Sequence, residues 1–333
     1  MAKAPTIHDI ARAANVSPST VSRVLNGGTP VTPQKRAAVL AAITALNFKP
    51  NPVARGLARG KSMAIGVLTQ SMASLYYGEL AQGIDQGLHG GLYHPVYATG
   101  QWRVDDELAA LHLLLERQVD GLIVLGGGLP DETLRSIADQ VPLIVVGRVI
   151  AGLEAHSLSV ENHAGAYRAT RYLVELGHHR IAHITGILSH IDALERREGY
   201  CQALRDSGLE VDEQLIVEGA FTEQSGLLAA EALLGRSARL TAVFAANDQM
   251  AYGARLAFYR RGLRVPEDIS LIGFDDLLSS AYATPPLTTV RQHMVDLGRA
   301  AAEGMLRLLD GQPPSLPQFP TDLIVRESAA RCR

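Results

Sequence analysis

The chain has 333 residues, 47% hydrophobic and 20% charged, which suits a small domain beside a larger bilobal one. It has no apolar run near the roughly 18 residues of a membrane span, no apolar signal core among Met1–Thr6, and only two cysteines, Cys201 and Cys332. Secretion and a disulfide framework are therefore not expected, and a reducing cytoplasm is. The net charge of −3 conceals an asymmetry: residues 1–61 hold nine basic residues and one acid, Asp9, which leaves 22 basic and 33 acidic residues in the remainder. A head of +8 on a body of −11 directs the head alone toward a polyanion.

Thr6 is placed to cap a helix that begins at Ile7, with Asp9 in its first turn and Ile7, Ile10, Ala11 and Ala14 on one face. After a tight turn at Asn15-Val16, Ser17 caps a second helix with Pro18 at its first position, where the missing N–H costs nothing. That helix runs to about Leu25 and ends at Asn26-Gly27-Gly28. Thr32-Pro33 repeats the device for a third helix, which turns Val39, Ile43 and Leu46 inward and closes at Asn47. Asn51-Pro52 opens a fourth segment, Val53–Arg59, too short to be a stable helix alone in water.

From Met63 the pattern becomes strand-length apolar runs between amphipathic helices. The expected strands are Ala64–Leu68, Pro95–Ala98, Gly121–Leu125, Leu143–Val146, Ile181–Thr185, Ala242–Ala245 and Ser270–Phe274. The expected helices include Glu79–Leu88, Asp106–Gln118, His163–Leu176, Arg196–Ser207 and Ser225–Leu234. Runs this apolar imply parallel sheets covered on both faces, and the series is long enough for two doubly wound sheets with a break around 157–162. Ligands of such sheets bind beyond the carboxyl ends of the strands, here in a cleft between lobes.

Several signals fail on their own terms. Gly56 to Ser62 is one residue short of a phosphate loop and precedes a strand where that motif must follow one. Asn15-Val16-Ser17 fits a glycosylation acceptor for which a cytosolic chain has no use. His178, His179 and His183 have no acid or cysteine at ligand spacing, so structural roles are expected and no metal. Asp275-Asp276 follows a strand, but adjacent side chains diverge and no base or nucleophile motif accompanies them. Neither catalysis nor a cofactor is expected.

Thr6–Ala11, Val16–Asn26 and Asn51–Ala58 resemble the head of the lactose/galactose repressor (LacI/GalR) family. The resemblance continues through Leu176-Gly177-His178, Arg196–Tyr200, Ala246–Ala251, Gly273–Asp276, Pro286–Val290 and Val325–Ser328, and so covers nearly the whole chain in order. It implies an all-α helix-turn-helix DNA-binding head (residues 1–50), a hinge helix and linker (51–62), and an α/β two-lobed periplasmic-binding-protein-like sensor (63–333). Pro18, Ser19 and Thr20 start the recognition helix, where short polar groups meet base edges, and Arg23 one turn on suits guanine. Ser17 and Asn26 are placed for phosphates. In the hinge, Leu57 matches the family's wedge between central base pairs, with Ala54 and Arg55 in the same minor groove. Gly56 departs from the family pattern and weakens the hinge helix by roughly 1 kcal/mol relative to Ala.

In the sensor the resemblance carries ligand contacts onto Arg196, Asn247 and Asp275, stacking onto Tyr77 and Phe221, and loop contacts onto His190 and Asp192. Forked donors, carboxylate acceptors and aromatic faces suit a polyhydroxylated ring. Gly147 departs from the aspartate of several sugar-binding members, and Arg148 beside it leaves an acidic or phosphorylated ligand open. The expectation is a homodimeric repressor, with no heptad tail after Val325 to pair dimers, on a near-palindromic double-stranded operator, responding to a small ligand. The rivals are a periplasmic sugar-binding protein, which has no use for residues 1–61, and a sugar-modifying enzyme, which needs a base and turnover.

Overall fold

A computed structural model describes residues 5–26, 31–48, 61–236 and 239–333, in two units, Met1–Met63 and Ala64–Arg333. In the first, the Thr6 hydroxyl accepts from the Asp9 amide while the Asp9 carboxylate accepts from the Thr6 amide, and this reciprocal cap starts α1 (Ile7–Ala13). Asn15, at φ 51°, turns the chain into α2 (Pro18–Asn26), and α3 is Pro33–Ala45. Ile10, Ala11, Val21, Val39 and Ala42 form a small buried core, with Ile7, Ala14 and Ile43 packed on it. Two expectations differ here. Thr32 precedes α3 without a side-chain capping bond, and Leu46 is exposed because α3 ends one residue before it, ahead of the left-handed Asn47.

The second unit holds two sheets. In the first, β1 (Ala64–Thr69), β2 (His94–Thr99), β3 (Gly121–Leu125), β4 (Leu143–Gly147) and β5 (Ser157–Ser159) are all parallel, in the order β2-β1-β3-β4-β5. They alternate with α4 (Leu75–Leu88), α5 (Val104–Glu116) and α6 (Asp131–Ala138). The second sheet has β6 (Ile181–Thr185), β7 (Ile216–Glu218), β8 (Ala242–Ala245), β9 (Ser270–Asp275), β10 (Thr288–Arg291) and β11 (Asp322–Ile324), in the order β11-β10-β9-β8-β6-β7. Only β11, at an edge, is antiparallel. Its helices are α7 (Asn162–Glu175), α8 (Ile191–Asp206), α9 (Glu223–Gly235), α10 (Asp248–Arg260) and the short α11 (Leu278–Ala281). Apart from that edge strand the two sheets repeat one doubly wound order, so each has its switch point beside its first strand.

All seven expected strands are present. The lobes exchange chain more often than the single expected break. After β5 the chain enters the second lobe; after β10 it returns as α12 (Met294–Leu309) to pack against α4, and then crosses again to reach β11. The α4–α12 contact is backbone-close: a Cβ on Gly83 would stand 2.0 Å from the Val295 carbonyl oxygen, and one on Gly298 2.1 Å from that of Leu80. An isolated parallel bridge, Val160 to Phe319, ties two crossings together. Among the described residues no helix is long and apolar enough to cross a membrane.

The buried histidines are structural. His178 hydrogen-bonds through Nδ1 with Thr241 Oγ1 at 3.0 Å and through Nε2 with the Ala330 carbonyl at 2.9 Å, which holds the C-terminal segment. His183 in β6 is stacked between Tyr200 and Phe244, with ring centroids 4.9 and 4.8 Å away, and its Nδ1 meets the Phe244 carbonyl at 2.9 Å. Burial lowers the His183 pKa from 6.5 to about 4. The unfolded chain therefore takes up a proton below 6.5 that the folded chain refuses until about 4, so folding weakens as pH falls through that window. Between pH 7 and pH 5 the expected loss from this group is about 2 kcal/mol. Urea unfolding at the two pH values should show it, and a His183→Phe variant, which keeps the stack, should lack that component.

Candidate ligand cleft and nucleic-acid interface

In the head, the Ser17 hydroxyl accepts from the Thr20 amide at 3.2 Å and hydrogen-bonds with the hydroxyls of Ser19 (2.8 Å) and Thr20 (2.9 Å). Ser17, Pro18 and Ser19 are exposed, as is Arg23 a turn further on, while buried Val21 anchors the opposite face of α2. The start of α2 thus presents small polar groups and a helix N-terminus outward, the arrangement that meets phosphates and base edges. The side chain of Asn26, and all of Ala54, Arg55 and Leu57, lie outside the described residues.

In the second unit, each of the ten parallel strands delivers residues to one cavity, from its carboxyl end or the loop and helix that follow. From the first sheet come Ser74, Tyr76 and Tyr77 after β1, Trp102 after β2, Gly126 and Gly127 after β3, Gly147 and Arg148 after β4, and Val160 and Asn162 after β5. From the second come Ile191, Asp192 and Arg196 after β6, Phe221 after β7, Asn247 after β8, Asp275 ending β9, and Gln292 after β10. The cavity has about 610 Å3 of empty space, part of it open to solvent.

Arg196 is 3% exposed, so its charge must be met from within. Its Nε–H donates to Asn162 Oδ1 at 2.9 Å and a terminal nitrogen donates to the Ala246 carbonyl at 2.5 Å. The same nitrogen lies 3.8 Å from Asp275 Oδ1, and the guanidinium sits 3.9 Å over the Phe274 ring. Asp275 also accepts from Gln292 Nε2 at 2.6 Å. Burial pushes its carboxyl well above the ordinary value, against the pull of Arg196. Asp275 and Asp276 both have positive φ, 121° and 60°, a conformation that nearby bonds must hold. Arg291 and Arg326 each pair with Asp276 at 2.7 Å. Beneath them, fully buried Asp248 accepts from the Leu277 amide (2.9 Å) and the hydroxyls of Ser280 and Thr289 (2.5 Å each), and burial raises its pKa to about 7.

The aromatic wall crosses the cleft. Trp102 stacks on Phe221 with centroids 5.2 Å apart and rings 25° from parallel, and Tyr77 lies 5.6 Å from the same indole. Trp102 follows Gln101 in a left-handed turn, φ 50° and 60°, held by its amide donating to Gln70 Oε1 at 3.0 Å. Phe221, also left-handed at φ 59°, fits because residue 186 is glycine: a Cβ there would come within 2.0 Å of the ring. Buried Glu107 shapes the cleft floor by accepting from the amides of Gly128 and Leu129 at 3.0–3.1 Å.

Of the seven residues carried into the sensor by resemblance, Tyr77, Asp192, Arg196, Phe221, Asn247 and Asp275 meet in this cavity, as does Arg148, singled out beside the departure at Gly147. His190 does not line it; its ring is buried edge-on against Trp102, 5.2 Å between centroids. Asn247 caps α10, accepting from the Met250 amide at 2.9 Å and donating to the Phe221 carbonyl at 3.1 Å, so it sets the aromatic wall as much as it faces the cavity. Trp102, Tyr76, Ser74, Asn162 and Gln292 were not anticipated. The position of Trp102, the only tryptophan, shortly after an apolar strand was the one signal available.

Residues 6–51 match the profile of the bacterial regulatory proteins of the lacI family, and residues 170–329 that of a periplasmic binding protein-like domain. The chain is 36% identical over 327 residues to catabolite control protein A of Priestia megaterium, covering 97% of this chain and 98% of that one. Its fold is similar to the Lac repressor dimer bound to operator and the anti-inducer ONPF, with a TM-score of 0.87 and 32% identity over 98% of this chain and 100% of that one. It is also similar to the transcriptional regulator CelR in complex with cellobiose, with a TM-score of 0.71 and 33% identity over 97% and 99% of the two chains.

Because Trp102 is the sole tryptophan and lines the cavity, tryptophan emission, excited at wavelengths that the ten tyrosines do not absorb, reports on this site alone. Phe221→Ala should shift its emission to longer wavelength as the stacked face meets water. Trp102→Phe should abolish the signal while leaving the fold intact by circular dichroism. Trp102→Ala should weaken a ligand that stacks here by roughly 1 kcal/mol or more, measurable by calorimetry.

Proposed function

The chain belongs to the lacI family of bacterial regulatory proteins, and from this we propose that it is a cytoplasmic repressor whose hold on an operator is set by a sugar or sugar derivative in the cleft. The observation that carries the sugar reading is the joining, in one cavity, of the Trp102–Phe221 wall with Arg196, Asp275, Asp192 and Gln292. Aromatic faces suit the C–H surface of a sugar ring, and carboxylates, amide and guanidinium suit its hydroxyls. Residues 1–50 read DNA, with Ser17, Pro18, Ser19, Thr20, Arg23 and Asn26 toward phosphates and bases. Residues 51–62 form the hinge, with Ala54, Arg55 and Leu57 in the minor groove, and 63–333 sense the ligand. Regulation is linkage: a ligand that prefers one arrangement of the lobes shifts the state that holds DNA. The protein acts by binding, and incubation with sugars should yield no product.

The repressor is a homodimer on a near-palindromic site. Leu278 and Tyr282 are 72% and 80% exposed, Leu75 lies beside Leu278 in one surface groove, and Leu256 and Tyr259 line the next. Side chains this apolar and exposed suit a second copy of the same face. Leu278→Asp with Tyr282→Asp should give a monomer by sedimentation and lose operator affinity, since each half-site then binds alone.

Arg196→Ala and Asp275→Ala should each weaken ligand binding roughly tenfold to a hundredfold, the cost of losing a charged hydrogen bond. Both should leave operator binding without ligand unchanged in a mobility-shift assay while removing the ligand's effect on it. If both variants, still folded, respond to ligand as the parent does, the cleft assignment is wrong.

A further inference from the structure

We propose that Asp131, which does not itself line the cleft, selects the charge of the ligand: by occupying Arg148 it reserves the site for uncharged sugars and turns away phosphorylated and acidic ones. The proposal rests on the sugar reading above and narrows it. Arg148 lies at the cavity wall beside Gly147, whose missing side chain and left-handed φ of 108° leave the guanidinium as the only charged group delivered from β4. Seen in sequence, an arginine there suggests an anion site. In the fold it is already engaged. One terminal nitrogen pairs with Asp131 Oδ1 at 3.1 Å, from the first turn of α6, and the other donates to the Leu129 carbonyl. A phosphate or carboxylate gripped end-on through both terminal nitrogens would compete with the Asp131 pair, and any anion at Arg148 would meet a charge already neutralised by it.

The charge of the other cavity arginine is partly met too: Arg196 donates to Asn162 and the Ala246 carbonyl and lies 3.8 Å from Asp275, which leaves its remaining donors for a hydroxyl. An incoming anion would meet two engaged guanidiniums and the carboxyl groups of Asp192 and Asp275. An uncharged polyol meets acceptors for its hydroxyls and displaces no ion pair. Asp131 is 40% exposed at its side chain, so its substitution disturbs little core and changes chiefly the charge balance at Arg148.

The test uses the full chain, reading Trp102 fluorescence and calorimetry with glucose, galactose and cellobiose beside glucose 6-phosphate, galactose 6-phosphate and galacturonic acid. The wild type should bind a neutral sugar at least about tenfold more tightly than its charged counterpart, the scale of one charge-assisted hydrogen bond. In Asp131→Asn and in Asp131→Ala that ratio should fall by about tenfold, mainly through tighter binding of the charged member. Adding Arg148→Met to either variant should restore the wild-type ratio, which a merely structural role for Asp131 would not do. A wild type that prefers the charged members, or a ratio unmoved in both folded Asp131 variants, overturns the proposal and leaves the sugar reading standing. Failure of every member of both series to bind overturns the sugar reading itself, and this proposal with it.

Discussion

A buried guanidinium cannot be left to itself, and the second unit is arranged around how Arg196 is satisfied. Its partners come from the crossing between lobes (Asn162), the end of β8 (Ala246) and the end of β9 (Asp275), with the ring of Phe274 beneath. One side chain on α8 therefore fixes two neighbouring strand ends and one lobe connection. Removing any partner leaves a charge buried and underpaired, so the strand ends are held in register with one another. Asp275 can sit at φ 121° because Arg196 and Gln292 hold its carboxyl while Arg291 and Arg326 clamp the next residue.

The same logic of strain held by buried partners recurs around the cavity. Trp102 and Phe221, which face each other across the cleft, both occupy left-handed backbone, and each is held by a buried amide side chain: Gln70 for the first, Asn247 for the second. Such positions cost free energy in isolation and persist only where the surroundings over-determine them. They place large rings at loop ends where regular strand geometry would point them elsewhere. The aromatic side of the lining is thus set by these partners, and the crossings between lobes by Arg196 on Asn162 and by the bridge from Val160 to Phe319.

Much of this was legible in the sequence, for identifiable reasons. Strands such as Gly121–Leu125 and Ile181–Thr185 are buried on both faces, so they read as continuous apolar runs whatever they pack against. The cap at Thr6 and the Ser17-Pro18 start of α2 are local interactions among neighbours, and local chemistry is what a sequence displays. The short strands β5, β7 and β11, three residues each, carry no periodicity to detect. His190 sits one residue before α8, whose first residues line the cleft, yet its ring packs edge-on against Trp102; the family resemblance pointed it at the ligand and the packing keeps it off the lining.

The charge division between head and body and the alternation that produces two parallel sheets were readable in the chain before it folded, and the family resemblance marked Arg196, Asn247, Phe221 and Asp275 for the site. The first two follow from composition and period, the last from matched motifs. That α12 returns to the first lobe, that Trp102 and Gln292 join the site, and that Arg148 is already paired with Asp131 came only with the folded chain. Those facts depend on contacts between segments far apart in the chain, and whether a cation is available or spent depends on what stands beside it in space.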